Sequence, residues 1–344
     1  MSAGWPATSR RLGVIAHADW SAHAVKRWIA VARRGPHGWR LAAPAPVGQP
    51  ASLLRRLGLP RTAILFGIDA PLGLPRAYAE TAGITATFPD FLRGLGGRPE
   101  FFSVCEHLAE VSADRPFYPR YPRKGMSRGG HATALGLSGG ADALSRAVDR
   151  ATKLRPAGAP PFWTLGANQS GKAALSAWRE LLLPALATGR RLRLWPFTGP
   201  LALCVRPGGA VMAETYPAEA WRRLGLAFHG SKRRQADRKA LAGGLRAAMT
   251  RLRVRPEPAL LALIAAGFGA DAAGEDRFDC TLGALFLLAV AAGRLRVTLP
   301  TDPWLRRWEG WVLGQSALPR QESSSNAARQ RASAPKRIQD SSGW

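Results

Sequence analysis

The chain has 344 residues, 46% of them hydrophobic, which is ample for a core and more than one typical domain needs. Lys and Arg number 49 against 23 Asp and Glu, a formal net charge of +26 that favours polyanionic partners such as nucleic acid. A chain this rich in Arg, Ala, Gly, Leu and Pro can also carry such a charge through composition alone. Three widely spaced cysteines, Cys105, Cys204 and Cys280, argue against a disulfide framework and against a zinc site, and the apolar run over 281–293 is too short to span a bilayer. These features predict a cytoplasmic protein without a membrane segment. The start, "TSRRLGVIAHA", imitates a twin-Arg export signal, but its apolar part is short and runs straight into "DWS", which suits a first strand better.

In chain order, "LGVIAHADW", "AVKRWIAVA" and, after a Gly-Pro turn, "GWRLAAPA" are three strand candidates with short connections, the pattern of an antiparallel meander. "PASLLRRLGLP" predicts a short helix between prolines, and "TAILFGIDAPLGLP" a continuous apolar strand suited to the middle of a sheet. From about 76 to 187 the pattern is helical and loop-like, with a stretch "RPFYPRYPRKGMSRGGH" that cannot be regular throughout, so this part is expected to be an insertion or lid. "RRLRLWPF", "LALCVR" and "AVMAETYP" predict further strands, the last two joined by a hairpin-type "PGG" turn. "PAEAWRRLGL", "RKALAGGLRAAMTRL" and "DCTLGALFLLAVAAG" predict helices, the last apolar nearly all round and therefore buried. Residues 1–315 are expected to form one domain, and the Ser-rich, basic 316–344 a disordered tail.

The stretch "GANQSGKA" at 166–173 is one residue short of a phosphate-binding P-loop. Gly166, Gly171 and Lys172 fit that pattern, but Ala173 stands where a hydroxyl must ligate Mg2+. The one apolar run ending in Asp that resembles its partner strand, "AILFGID", precedes the loop instead of following it. An ATPase is therefore not expected, while Lys172 remains a candidate phosphate contact.

Acidic residues are scarce, so their positions carry information. Asp19 closes the first strand candidate, Asp69 the fourth and Glu214 another, while Asp276 and Asp279 open the buried helix. If the first and fourth strands are parallel neighbours, Asp19 and Asp69 lie side by side at the carboxyl edge of the sheet, where open α/β sheets place their sites. Clustered carboxylates repel unless protonated or neutralised, and hard oxygen ligands favour Mg2+ or Mn2+, which in pairs activate water on a phosphodiester. Each residue also has a local alternative: Asp19 and Asp69 as turn residues, Asp276 or Asp279 as a helix N-cap, Glu214 as an acceptor near a helix start. His17, His107, His131 and His229 show no metal-ligand spacing. Lys232 and Arg233, followed by Arg234, suit either a phosphate backbone or a solvated helix start. Arg120, Arg123, Lys124 and Arg128 with Tyr118 and Tyr121 suit a single-strand-binding loop or ordinary loop packing.

The pieces "GIDAPLGLP", "RPFYP", "FWTLGANQSGKAALSAWRELLLPAL", "LWPFTGPL", "AETYPAEAWRRLGL", "SKRRQADR", "DRFDCTLGALFLLA" and "EGWVLG", in this order over about 12–314, resemble the domain-of-unknown-function 429 family. The resemblance implies a predicted nuclease of the RNase H-like fold, an α/β mixed sheet of three antiparallel strands followed by parallel ones. It further implies a Mg2+- or Mn2+-dependent site at Asp19, Asp69 and Asp279, with Glu214 alongside, and nucleic acid as substrate.

Overall fold

Strands form where the apolar runs of the sequence lie. In the computed structural model, which describes residues 8–58, 62–166, 170–188, 191–298 and 301–316, they are β1 (Leu12–Asp19), β2 (Trp28–Gly35), β3 (Gly38–Leu41), β4 (Ala45–Pro46), β5 (Ala63–Ile68), β6 (Leu192–Trp195), β7 (Ala210–Glu214) and β8 (Val254–Pro256). They join in one mixed sheet ordered β6-β7-β5-β1-β2-β3-β8, with β4 also against β2. β1, β2 and β3 form the expected antiparallel meander, and β5, β7 and β6 continue it with parallel pairings. The expected tail beyond Ser316 and the middle of "GANQSGKA", 167–169, fall outside the described residues.

The helices that matter below are α1 (Leu53–Leu57), α2 (Arg76–Thr81), α3 (Phe88–Gly94), α4 (Arg128–Ala134), α5 (Ser170–Ala177), α6 (Leu183–Ala187), α7 (Leu201–Cys204), α8 (Pro217–Arg223), α9 (Gln235–Ala240), α10 (Ala242–Leu252), α11 (Pro258–Ala265) and α12 (Gly274–Ala291). Two cores separate on the two faces of the sheet, as the two-residue period of a strand requires. Val14, Ala16, Ala18, Phe66 and Met212 pack with Tyr78, Phe88, Phe101, Phe162 and Trp178, so residues 76–187 cover one face. Ile15, Leu65, Val211 and Ala213 pack on the other face with Leu245, Ile264, Phe278 and the body of α12, and an irregularity in the pairing of β1 with β5 between Leu12 and Val14 puts Leu12 there too.

Three expectations are corrected. "LALCVR" is not a strand but the short helix α7, capped by Pro200: Leu201 and Cys204 are buried while Leu203 is 60% exposed, a three-residue period that a strand cannot give. "PGG" consequently joins a helix to a strand and makes no hairpin. Neither Asp276 nor Asp279 is an N-cap, because α12 starts earlier, with Ala273 at the cap and Asp276 in its first turn. β8 went unrecognised because its three residues end in Pro256 and Pro258 follows, a signal that disfavours a central strand; β8 is an edge strand, parallel to β3. No described helix is long and apolar enough to cross a membrane.

Candidate active site

Strand register sets two carboxylates side by side. Ala18 is level with Ile68, and the Asp69 amide donates to the Ala18 carbonyl at 3.0 Å, so Asp19 and Asp69 leave the carboxyl ends of adjacent parallel strands together. By alternation along β1 and β5, both share the face of Ile15 and Leu65, which is the face α12 covers. The next residue, Trp20, anchors the end of β1: its Nε1 donates to Ser176 Oγ on α5 at 3.0 Å, and the Arg27 guanidinium lies 4.7 Å from its ring while pairing with Glu180.

α12 adds its acids from the other side. Glu275 and Asp279 are four residues apart and so share a flank of the helix; Asp276 adjoins them, and Asp279 is 2% exposed. Into this cluster reaches Lys232, from the loop before α9, with Nζ 2.5 Å from Asp279 Oδ2 and 3.1 Å from Glu275 Oε1. Asp279 Oδ1 is buried and has no hydrogen-bond partner. Among the described residues no three Asp, Glu, His or Cys side chains stand as ready ligands of one ion; the cation held by the cluster is the Lys232 ammonium. The donor set nonetheless suits a hard divalent cation, being all oxygen, crowded with negative charge and including the unpartnered Asp279 Oδ1.

The crowding shows in the protonation of the acids. Burial first, then the charges of Asp279, Asp69 and Asp276, pushes the Asp19 carboxyl well above its ordinary range. Burial raises Asp69 to about 7, with Lys232 opposing and Asp279 and Glu214 adding to the rise. Asp279 is raised to about 6 by burial, again against the pull of Lys232. Asp276 is raised by burial and by Glu275, while Lys26, Lys232 and a hydrogen bond with Asp19 restrain it. In metal-free protein these acids therefore keep protons to higher pH than in the unfolded chain, where the ordinary value is 3.8. Folded protein binding more protons than unfolded means that stability falls as pH rises from the ordinary carboxylate value through about 6 and about 7. Thermal midpoints in chelator between about pH 4 and about pH 8 are expected to show this fall, flattened in Asp69→Asn; an equal slope in the two proteins would contradict it.

Glu214 does not join the site, and the reason is parity. It is level with Ile68, not Asp69, so its side chain points to the opposite face of the sheet, where Met212 and Phe66 also lie. There both its oxygens are taken: Arg146 Nη1 and Nη2 donate to Oε2 and Oε1 at 2.7 and 2.8 Å, and the Leu72 amide donates to Oε2 at 2.7 Å. The same Arg146 forks onto Asp149 at 2.8 and 2.9 Å, with every one of these three side chains buried. The residue that stands beside Asp69 on the site face is Thr215, whose amide donates to the Ile68 carbonyl.

Beneath the carboxylates on this face lies His17, fully buried, its Nε2 2.8 Å from Thr215 Oγ1 and its Nδ1 without a partner. Burial lowers its pKa to about 3, so the ring is neutral. Gly67 and Gly283 make room for it; a Cβ at Gly283 would stand 2.2 Å from the ring carbons. Gly283→Ala should therefore destabilise the protein by about 1–3 kcal/mol, the usual effect of overpacking, as read by chemical denaturation. A loss below about 0.5 kcal/mol, the range of ordinary surface changes, would show that the ring yields freely.

Of the other expected site residues, Arg233 is exposed next to Lys232, and His229 is exposed nearby in sequence. Lys172 sits in the first turn of α5, whose core residues pack on the face away from Asp19 and Asp69. The helix-opening Gly171 has a packing reason instead: a Cβ there would come within 2.6 Å of the Trp163 carbonyl oxygen. In the basic loop, Arg120 and Arg123 pair with Glu106, Arg128 lies over Trp163, and Tyr121 is exposed. Sequence reasoning missed Glu275, although its position four residues before Asp279 on a predicted helix was a usable signal. It also missed Thr215 and Arg146, which no local pattern marks.

The chain matches no family model, and no curated protein or solved structure matches it.

Proposed function

We propose that the protein is a divalent-metal-dependent phosphodiesterase of the RNase H-like fold, acting on nucleic acid. The observation that carries this reading is the convergence of Asp19, Asp69 and Asp279 from β1, β5 and α12 at the carboxyl edge of the sheet, with all three acids holding protons abnormally tightly. A group of buried, mutually repelling carboxylates at the edge where such sheets place ligands costs stability, and such perturbed acids cluster at functional sites. The antiparallel meander followed by parallel strands supports the fold assignment, as do the motifs similar to the domain-of-unknown-function 429 family; residues 76–187 are then the family's insertion.

Asp19, Asp69 and Asp279, with Asp276 beside them, would hold Mg2+ or Mn2+, which supplies an activated water and neutralises charge on the phosphate. The exposed Arg233 provides charge for a phosphate backbone near the same edge, while its neighbour Arg234 is paired with Asp237. The net charge of +26 favours a polyanion over a small neutral substrate. The test is a panel of single-stranded, duplex and hybrid nucleic acids incubated with Mg2+ or Mn2+. Metal-dependent cleavage of one class is the expected result. Tight, salt-sensitive binding with no cleavage in any metal would instead make this a non-catalytic nucleic-acid-binding protein. Turnover of mononucleotides or sugar phosphates in preference to polymers would make it a small-molecule phosphate hydrolase.

A further inference from the structure

We propose that the Lys232 ammonium fills one of the cation positions of the carboxylate cluster, so that the wild-type protein takes up one divalent ion fewer than its acids would otherwise hold. This rests on the metal-dependent reading given above and goes on to specify how the same site limits its metal content.

Lys232 touches the acids directly, at Asp279 Oδ2 and Glu275 Oε1, and its charge also acts on Asp69, Asp19 and Asp276. Its charge therefore acts on all five carboxylates of the site, two of them by direct contact. Asp279 divides its two oxygens accordingly: Oδ2 is committed to the ammonium, and the buried Oδ1 is left without a partner and free for an ion. An ammonium and a divalent cation that compete for the same carboxylate oxygens repel each other strongly at such separations. Both cannot sit on Asp279 Oδ2.

The placement of Lys232 is built by its surroundings. The Ser231 amide donates to Asp237 Oδ2 at 2.8 Å, which fixes the start of the loop. Arg238, 2% exposed, commits its guanidinium to backbone carbonyls: Lys232 itself, Gly267 at 3.0 Å and Gly269 at 2.7 Å. The first residue of α12, Gly274, packs against that guanidinium so closely that a Cβ would come within 2.4 Å of its Nη2. A buried arginine thus fastens the loop carrying Lys232 to the start of the helix carrying Glu275 and Asp279. The Lys232 side chain is 36% exposed, so this scaffold and its two ion pairs, not burial, hold it in place.

The test is a calorimetric titration of the full chain with MnCl2, comparing wild type, Lys232→Met and Lys232→Arg, each checked for native circular dichroism. The expected result is one more Mn2+ per chain in Lys232→Met than in wild type, with Lys232→Arg, which keeps the charge, retaining the wild-type count. Should Lys232→Met fail to fold, Lys232→Gln gives the same comparison. Equal counts in the neutral variant and wild type would overturn the proposal whatever the affinities. Equal, non-zero counts would overturn the role of Lys232 alone, whereas no uptake by either protein would also remove the metal-dependent reading of the site.

Discussion

Replacing Arg146 with Met is expected to destabilise the protein by about 3–5 kcal/mol, the effect of removing one partner from a buried ion pair. Arg146 makes two hydrogen bonds to Glu214 and two from its side chain to Asp149, all between 2.7 and 2.9 Å, with none of the three side chains more than 1% exposed. Tyr216 Oη adds a bond to Asp149 Oδ1 at 3.3 Å, and Arg146 Nη1 also reaches the Glu309 carbonyl. Met fills a similar volume but leaves two carboxylates buried without their counter-charge, and desolvation of an unpaired carboxylate exceeds any gain in apolar contact. The network also joins three distant parts of the chain, the 76–187 segment, β7 and the end of the short helical segment Leu305–Glu309, so its loss loosens the contact between them. Urea denaturation measures the effect. A change below about 1 kcal/mol would mean that the acids escape their burial by local rearrangement. Pairing the substitution with Glu214→Gln should restore part of the loss, since one of the stranded charges is then gone.

Asp19→Asn is expected to behave in the opposite way, with turnover of the substrate found in the cleavage panel reduced by about 100–1,000-fold and folding stability unchanged or slightly raised. Burial and three neighbouring acids raise the Asp19 carboxyl well above its ordinary range and it shares a hydrogen bond with Asp276, so a neutral amide of the same shape removes a charge that the crowded metal-free site disfavours. What the amide cannot supply is a negative oxygen for a cation. Thermal melts in chelator and initial rates in Mn2+ separate the two effects: a stable variant with full activity would remove Asp19 from the site.

Much of this arrangement was legible in the sequence, and the failures have identifiable causes. Asp19 and Asp69 were found because each follows a long apolar run, and the ends of such runs are where sheet edges carry side chains. Asp276 and Asp279 were found because acids are rare in this chain and these two sit against an apolar helix. Glu214 misled for a reason built into strands: one residue of register moves a side chain to the other face, and the pairing of β5 with β7 that places Thr215 rather than Glu214 beside Asp69 is decided by tertiary packing. Its partner Arg146, 68 residues earlier, lies in a stretch with no regular pattern. The basic neighbours of Lys232 suit a phosphate contact or a solvated helix start, yet its position among carboxylates depends on a loop fastened by Arg238 to Gly267 and Gly269, contacts about 30 residues apart that no local signal shows. The meander, the central parallel strand and the buried helix followed from hydrophobic period, whereas α7 and β8 are too short for period to distinguish.

The measurement that bears most directly on the central claim is Mn2+-dependent cleavage by wild type and Asp69→Asn, side by side on the preferred nucleic acid, with both proteins shown to be folded. Asp69 stands between Asp19 and Thr215 at the sheet edge and is the acid whose proton is held to about pH 7 by burial, so its isosteric amide leaves the fold in place and removes a central negative charge. Cleavage by wild type that vanishes with Asp69→Asn is the predicted result. Equal cleavage by the two proteins, or cleavage by wild type that persists in chelator, would contradict a carboxylate-metal centre at this edge.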